Sequence, residues 1–300
     1  MCRVRTERIR HIVKDVKTNK SNDLSIILKG FIIGSSMSVP GVSGGTMAIL
    51  LGIYDKLISA ISNFLKDIKG NIIFLVKFCV GAGLGIGSLA FVIKYLLEKF
   101  PFPISFFFLG AVIGGLPALY QKTKVSKINI SFILYFLLGL GSVLSLGFLK
   151  AGDINLAGSK GIMYAVSLLI VGIIIALALV LPGISTSHML LVLGMYDTML
   201  AAITELDVIY IGTLGIATVI GVFLITKPIE WTMNRFPYQT YCIIIGFVIG
   251  STWEIFKEKI IPAVPNSAGL SWWLPWGLVS CITFVLGYHG IKYLSRFSED

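Results

Sequence analysis

Two segments of this chain set a helix breaker and hydroxyl side chains inside hydrophobic surroundings, a combination suited to binding an anion. The first reads Val39-Pro40-Gly41-Val42-Ser43-Gly44-Gly45-Thr46-Met47 and continues through Leu51-Gly52 to Tyr54-Asp55. The second lies 142 positions later and reads Leu181-Pro182-Gly183-Ile184-Ser185-Thr186-Ser187-His188-Met189, then Leu193-Gly194 and Tyr196-Asp197. Proline has no N–H to donate and glycine accepts positive φ, so each Pro-Gly pair stops a helix. Ser43 and Ser185 are placed to cap the next helix, and Gly44 and Gly45 leave its first N–H groups open to close approach. A helix N-terminus exposes unpaired donors and carries about half a positive charge. It is therefore a ready anion site. In hydrocarbon each orphan donor costs several kcal/mol, so an anion, a water or another helix must satisfy it. Gly and Ser also serve close helix packing alone. Paired breaks in corresponding halves of a membrane protein favour the substrate reading.

The elements that must position these breaks are membrane helices. The chain is 56% hydrophobic and 13% charged, against about 25% charge in globular domains, and long apolar runs recur along its length. The predicted fold is an all-α polytopic membrane protein. Residues 1–23 form a basic tail holding Arg3, Arg5, Arg8, Arg10, Lys14, Lys17 and Lys20, too polar for a signal peptide. The tail is read as a topology signal or a contact for anionic lipid, with nothing resembling a nucleic-acid domain beside it. Repeat 1 covers 24–150 and repeat 2 covers 161–297. Gly30 matches Gly172 at the motif's offset; beyond that the offset falls to 136, pairing Gly85 with Gly221, Gly110 with Gly246 and Lys99-Phe100-Pro101 with Arg235-Phe236-Pro237. The expected helices are 24–38, 44–64, 72–97, 103–120 and 129–150, then 162–180, 186–203, 208–226, 239–256 and 272–294. Each half is a broken pair, re-entrant or spanning, followed by three spans. Either choice gives an odd number of crossings, so the repeats should be inverted. Loop charge, ten Lys or Arg against six, favours a cytoplasmic N-terminus. Ser43 to Asp55 measures about 18 Å of continuous helix, against about 15 Å for half the hydrocarbon core. That places Ser43 near the midplane, with Ser185 meeting it from the opposite face.

Other groups carry weaker signals. His188 stands where the first copy has Thr46; it either contacts an anion or titrates, or is a neutral ring bonded to backbone. Asp55 and Asp197 read as interfacial carboxylates and Tyr54 and Tyr196 as belt residues. With His188 and Glu230, which is the carboxylate nearest mid-span, these acids are the candidate coupling groups. Cys2, Cys79, Cys242 and Cys281 lack any pair spacing and read as packing residues, with no metal or cofactor implied. Gly81-Ala82-Gly83-Leu84-Gly85-Ile86-Gly87 has a nucleotide-loop look but follows no strand, and small-residue helix packing is the better reading. Trp272, Trp273 and Trp276 suit an interfacial belt. An enzyme would need a nucleophile with a base, or a metal cluster, and neither is visible. A carrier or channel for a small soluble anion is the first rival, and a membrane-embedded lipid-phosphate enzyme is the second.

The motif pair, Pro40-Gly41-Val42-Ser43-Gly44-Gly45-Thr46 and Pro182-Gly183-Ile184-Ser185, each followed by Leu-Gly-x-Tyr, resembles PopT-type polyprenyl-phosphate transporters of bacteria over nearly the whole chain. A looser similarity connects it with DedA-type proteins, which also have re-entrant helices. The resemblance implies undecaprenyl phosphate as substrate, returned from the outer to the inner leaflet of the cytoplasmic membrane as the recycled carrier of cell-wall synthesis. It implies substrate-facing roles for Pro40, Gly41, Ser43, Gly44, Gly45 and Thr46, and for Pro182, Gly183, Ser185 and Ser187. Thr186 and His188 depart from the first copy's Gly-Gly-Thr pattern and join the candidate site as donors. No Lys or Arg lies within either motif.

Overall fold

Apolar runs punctuated by Gly and Pro fold as helices throughout, and the computed structural model describes residues 23–37, 42–124, 129–150, 156, 162–266 and 269–296, with no strand among them. Helix α1 covers residues 23–36. It is followed by α2 Gly44–Leu50, α3 Tyr54–Ser62, α4 Ile68–Lys99, α5 Pro101–Lys122 and α6 Ile130–Gly147. The second half repeats the order as α7 Ile162–Val180, α8 Thr186–Val192, α9 Tyr196–Thr204, α10 Val208–Arg235 and α11 Pro237–Ile255. A π turn, Phe256–Ile260, and the single turn α12 Ile261–Ala263 lead to α13 Leu270–Arg296. Six described helices are long and apolar enough to cross a membrane, or eight if each bent pair α2–α3 and α8–α9 counts as a span. The protein is a multi-pass, all-α membrane protein.

The bent pairs correct one expectation. The helices expected over 44–64 and 186–203 are each two helices, bent by 116° and 111°. Gly52 and Gly194 adopt φ +66°, the left-handed conformation that ends a helix. The continuous 18 Å rod behind the midplane estimate is therefore absent. The offset change is also resolved: the second half is two residues shorter in the linker, 205–207 against 63–67, and four shorter in the helix, where α10 has 28 residues and α4 has 32. Asp67, Asn129 and Asp207 cap α4, α6 and α10, each accepting a backbone N–H, and prolines open α5 and α11 where a missing N–H is harmless.

Small residues set the helix pairing. Gly30 and Gly34 of α1 lie against the backbone of Phe78 and Ala82, while Gly81 and Gly85 of α4 lie against Ile27 and Phe31. The glycine-rich stretch is thus a packing face. The contacts advance together, so α1 and α4 run the same way, and α2 with α3 makes the return. In the second half Gly172 meets Ala217 and Gly221 meets Ala176, pairing α7 with α10 in the same manner. The remaining helices cross between halves. In α5 and α13, Gly110 lies on Phe284, Gly287 on Phe107, and the Thr283 hydroxyl donates to the Pro103 carbonyl at 2.7 Å. In α6 and α11, Gly139 lies on Ile243, Gly246 on Phe136, and the Tyr238 hydroxyl donates to Asn129 Oδ1 at 2.7 Å. Both pairs are parallel. α5 and α6 form a hairpin, with Tyr120 edge-on to Phe132 at 5.8 Å.

The Trp cluster packs on α5, with Trp272 and Trp273 edge-on to Phe102 at 5.4 and 5.9 Å. Of the cysteines, Cys242 is buried, while Cys79 and Cys281 are exposed, so the packing reading holds for Cys242 only. Residues 1–22, including Cys2 and the basic tail, lie outside the described residues, as do Lys127 and Lys160.

Candidate functional site

The two breaks meet, as the paired motifs predict, but they meet in different roles. Ser43 caps α2 and accepts from the Thr46 N–H at 3.1 Å. Its hydroxyl lies 2.9 Å from the Thr46 hydroxyl. Both oxygens accept from one donor in the other half, the Gly183 N–H, at 3.1 Å to Ser43 Oγ and 2.9 Å to Thr46 Oγ1. Gly183 holds φ +83°, and a Cβ there would collide with the Phe247 carbonyl. A Cβ on Gly45 would press on Val180 O at 3.1 Å and Pro182 N at 3.2 Å. The donor left over at the second break, the Gly183 N–H, is thus satisfied by the hydroxyls at the start of α2. Ser43 and Thr46 are 8% and 0% exposed, and their hydroxyls are engaged in holding the second break. Gly44, half-buried, faces the side chain of Met37. Pro40 and Gly41 lie outside the described residues.

The second motif is open. Ser185 caps α8 and accepts from the His188 N–H at 3.3 Å. Ser185, Thr186 and His188 are half-buried and Ser187 is exposed, while Pro182 and Gly183 are buried behind them. Ser185 and His188 line a pocket of about 30 Å³ with Gly183, Trp253, Glu254 and Lys257. That volume holds a water or two. Two of its side chains rest on the carbonyls that end α6: His188 Nε2 is 3.3 Å from Leu146 O, and Lys257 Nζ donates to Gly147 O at 3.1 Å. The histidine thus makes a backbone contact while its ring faces the pocket. The π turn beginning at Phe256 carries Lys257 there; such single-turn bulges recur at functional sites. Both half-helices have seven residues, too short for a full macrodipole, so an anion would depend on hydroxyls, N–H groups and the His188 and Lys257 side chains.

The carboxylates separate. Asp55 Oδ2 accepts from Lys122 Nζ and from the Tyr241 hydroxyl, at 2.9 Å for the latter, joining α3 to the other half. Its Oδ1 is buried without a partner. Asp197 is exposed. Glu230 is not a mid-span charge: it accepts from Ser62 and Asn63 at the end of α3, level with the α3–α4 linker. Tyr54 is not a belt residue, being 3% exposed with its hydroxyl donating to Val180 O at 3.0 Å. Lys257, Glu254 and Trp253 are the pocket residues that sequence reasoning missed. Lys257 carried only the signal of a loop charge, because its place beside the motif depends on α6 and α11 lying parallel.

The profile of the VCA0040-like family, described as undecaprenyl phosphate translocase-like, matches residues 33–271, a stretch that includes both motifs. A polyprenyl-phosphate transporter of Staphylococcus aureus is 34% identical over 291 residues, 91% of this chain and 96% of its own length. A polyprenyl-phosphate transporter of Vibrio cholerae is 31% identical over 254 residues, 79% of each chain. No solved structure matches. With the profile spanning most of the chain and both relatives aligned over 79% or more of their own length, the chain belongs to the undecaprenyl phosphate translocase-like family.

Proposed function

We propose that the protein moves a polyprenyl phosphate, undecaprenyl phosphate in a bacterium, between the leaflets of the cytoplasmic membrane and so returns the carrier of cell-wall synthesis to the inner face. The charged head of such a lipid cannot cross hydrocarbon unaided, whereas its chain can stay in lipid. The protein needs to provide only a polar route for the head. One observation carries the reading: Ser185, His188 and Lys257 gather at a break among apolar helices. In this proposal the phosphate takes the first N–H groups of α8, at Thr186 and Ser187, together with the Ser185 hydroxyl. It draws His188 and Lys257 away from the α6 carbonyls, because an anionic phosphate oxygen is a stronger acceptor than a neutral carbonyl. The pocket enlarges as they leave.

The halves are read as inverted repeats with a cytoplasmic N-terminus. Support comes from α11, which runs along α6 and hence opposite to α5, its counterpart. Inverted repeats work by exchanging the environments of the two halves around a shared site. The first motif then takes its turn with the phosphate when Ser43 and Thr46 release Gly183. The reading is of a carrier and not an enzyme, in keeping with the names of the relatives.

The test is leaflet exchange of labelled undecaprenyl phosphate in proteoliposomes. The protein should accelerate exchange, and Lys257→Gln should slow it by roughly tenfold or more. Exchange no faster than in protein-free vesicles overturns the reading. Faster passage of inorganic phosphate than of the lipid reassigns the protein to soluble-anion transport.

A further inference from the structure

An apolar cleft of about 200 Å³ lies on the other side of the second break from the polar pocket. At one end it is bounded by Met37, just after α1, and by Gly44 and Gly45 of the first motif, and it follows α3 past Leu57 and Ile58 to Ile61. Its far wall is Val222 of α10, from the other half. Tyr54 brings a hydroxyl near it, and that hydroxyl is already bonded to Val180 O. Nothing in this lining recognises a phosphate. Branched aliphatic side chains and the pliable Met37 thioether, 40% exposed, recognise hydrocarbon.

We propose that this cleft seats the isoprenoid chain of a polyprenyl phosphate, in the units next to the head. The inference rests on the function proposed above. Three observations select this occupant. Val180 lines the cleft while Gly183 and Ile184 line the polar pocket. A ligand touching both sides of the break is therefore an amphiphile with one anionic end. The lining is hydrocarbon apart from the Tyr54 hydroxyl, which is already bonded to Val180 O, so the cleft offers contacts to an aliphatic chain and none to a second polar group. Its walls also belong to different halves, clamped by Glu230 on Ser62 and Asn63 and by Phe64 edge-on to Phe223 at 5.7 Å. A chain in the cleft thus senses the relative position of the halves, and the tail selects the state in which the head can move. Gly44 marks the neck: a Cβ there would stand 3.1 Å from the Met37 sulfur.

The test uses the full chain in phosphatidylcholine nanodiscs with a polyprenyl phosphate that carries a photoreactive diazirine on the isoprene units nearest the phosphate. Labelling should fall on Leu57, Ile58, Ile61 or Val222, and excess undecaprenyl phosphate should remove it, while excess inorganic phosphate leaves the tail label in place. In parallel, Ile61→Trp, which fills the cleft from a half-buried position, should weaken undecaprenyl-phosphate binding at least tenfold and leave binding of the short isopentenyl phosphate unchanged. Specific labelling confined to the outer faces of α4 and α13 overturns the cleft assignment while leaving the transport reading intact. Absence of any specific labelling or binding by the native protein overturns both. Should the tryptophan variant fail to fold, the labelling map of the native protein decides alone.

Discussion

The hairpins α2–α3 and α8–α9 carry almost the same motif, yet Tyr54 is 3% exposed and its counterpart Tyr196 is 37% exposed, and Ile58 is 3% exposed where Leu200 is 52%. The first hairpin is docked on the opposite half through Tyr54, Asp55, Ser62 and Asn63. The second leaves its apolar face, including Leu206 beyond its end, uncovered. Chemistry differs in parallel. The positions of His188, Glu254 and Lys257 in the second half are held by Thr46, Ala118 and Gln121 in the first. A duplicated backbone has therefore not duplicated a set of contacts: one copy works as a strut and the other stays open. The difference also marks the two ends of a possible exchange, since whatever docks α3 on α10 has its equivalent in α9 and α4.

The comparison breaks most sharply if that exchange is blocked. Leu206 and Gly87 are the counterparts of Phe64 and Phe223, which touch in the docked half, and a Cβ on Gly87 would meet nothing. The paired variant Gly87→Cys with Leu206→Cys should form a disulfide during turnover and abolish leaflet exchange, with recovery on reduction. A pair that never oxidises would mean that the second hairpin does not dock there.

The next largest effect belongs to the residue where the docked and the open copy meet. Gly183→Ala adds positive-φ strain of about 1–3 kcal/mol and a clash with the Phe247 carbonyl, so thermal unfolding in detergent should show a loss of about 3 kcal/mol or more. Removing its acceptors with Ser43→Ala and Thr46→Val leaves a buried N–H orphaned, worth about 1–3 kcal/mol. Ser187→Ala, at the exposed counterpart of Gly45, should leave stability within about 0.5 kcal/mol. Equal losses in the two halves would erase the distinction between them. The smallest effect is expected at the acids. Asp55→Asn breaks a half-exposed ion pair worth about 0–1 kcal/mol, and Asp197→Asn should be neutral in the same assay.

Much of this was legible in the sequence. The breaks, the caps Ser43 and Ser185, the glycine packing face and the division into two runs of helices follow from residue type and spacing. The bends after α2 and α8 were missed: Leu-Gly recurs in both copies and glycine at a helix end favours the left-handed cap, but the apolar run on either side reads as one continuous helix. What residue spacing cannot express is partner choice across the molecule. Ser43 and Gly183 are 140 residues apart. The same hydroxyl could face a ligand or a neighbouring N–H, and only docking of the halves decides. Gly45 shows the consequence: read as leaving room for an anion, it leaves room for the backbone at Val180–Pro182.

The crossed pairing of α5 with α13 and α6 with α11 has a consequence for biogenesis. The first half leaves the ribosome with two long helices whose partners have not yet been made, and α5 waits for the last helix of the chain. Its glycine-lined seams must then be shielded by lipid, or by the insertion machinery, through most of synthesis. Expressed as separate polypeptides, the halves should each be cleared from the membrane when alone and persist together, since each carries the helix that closes the other.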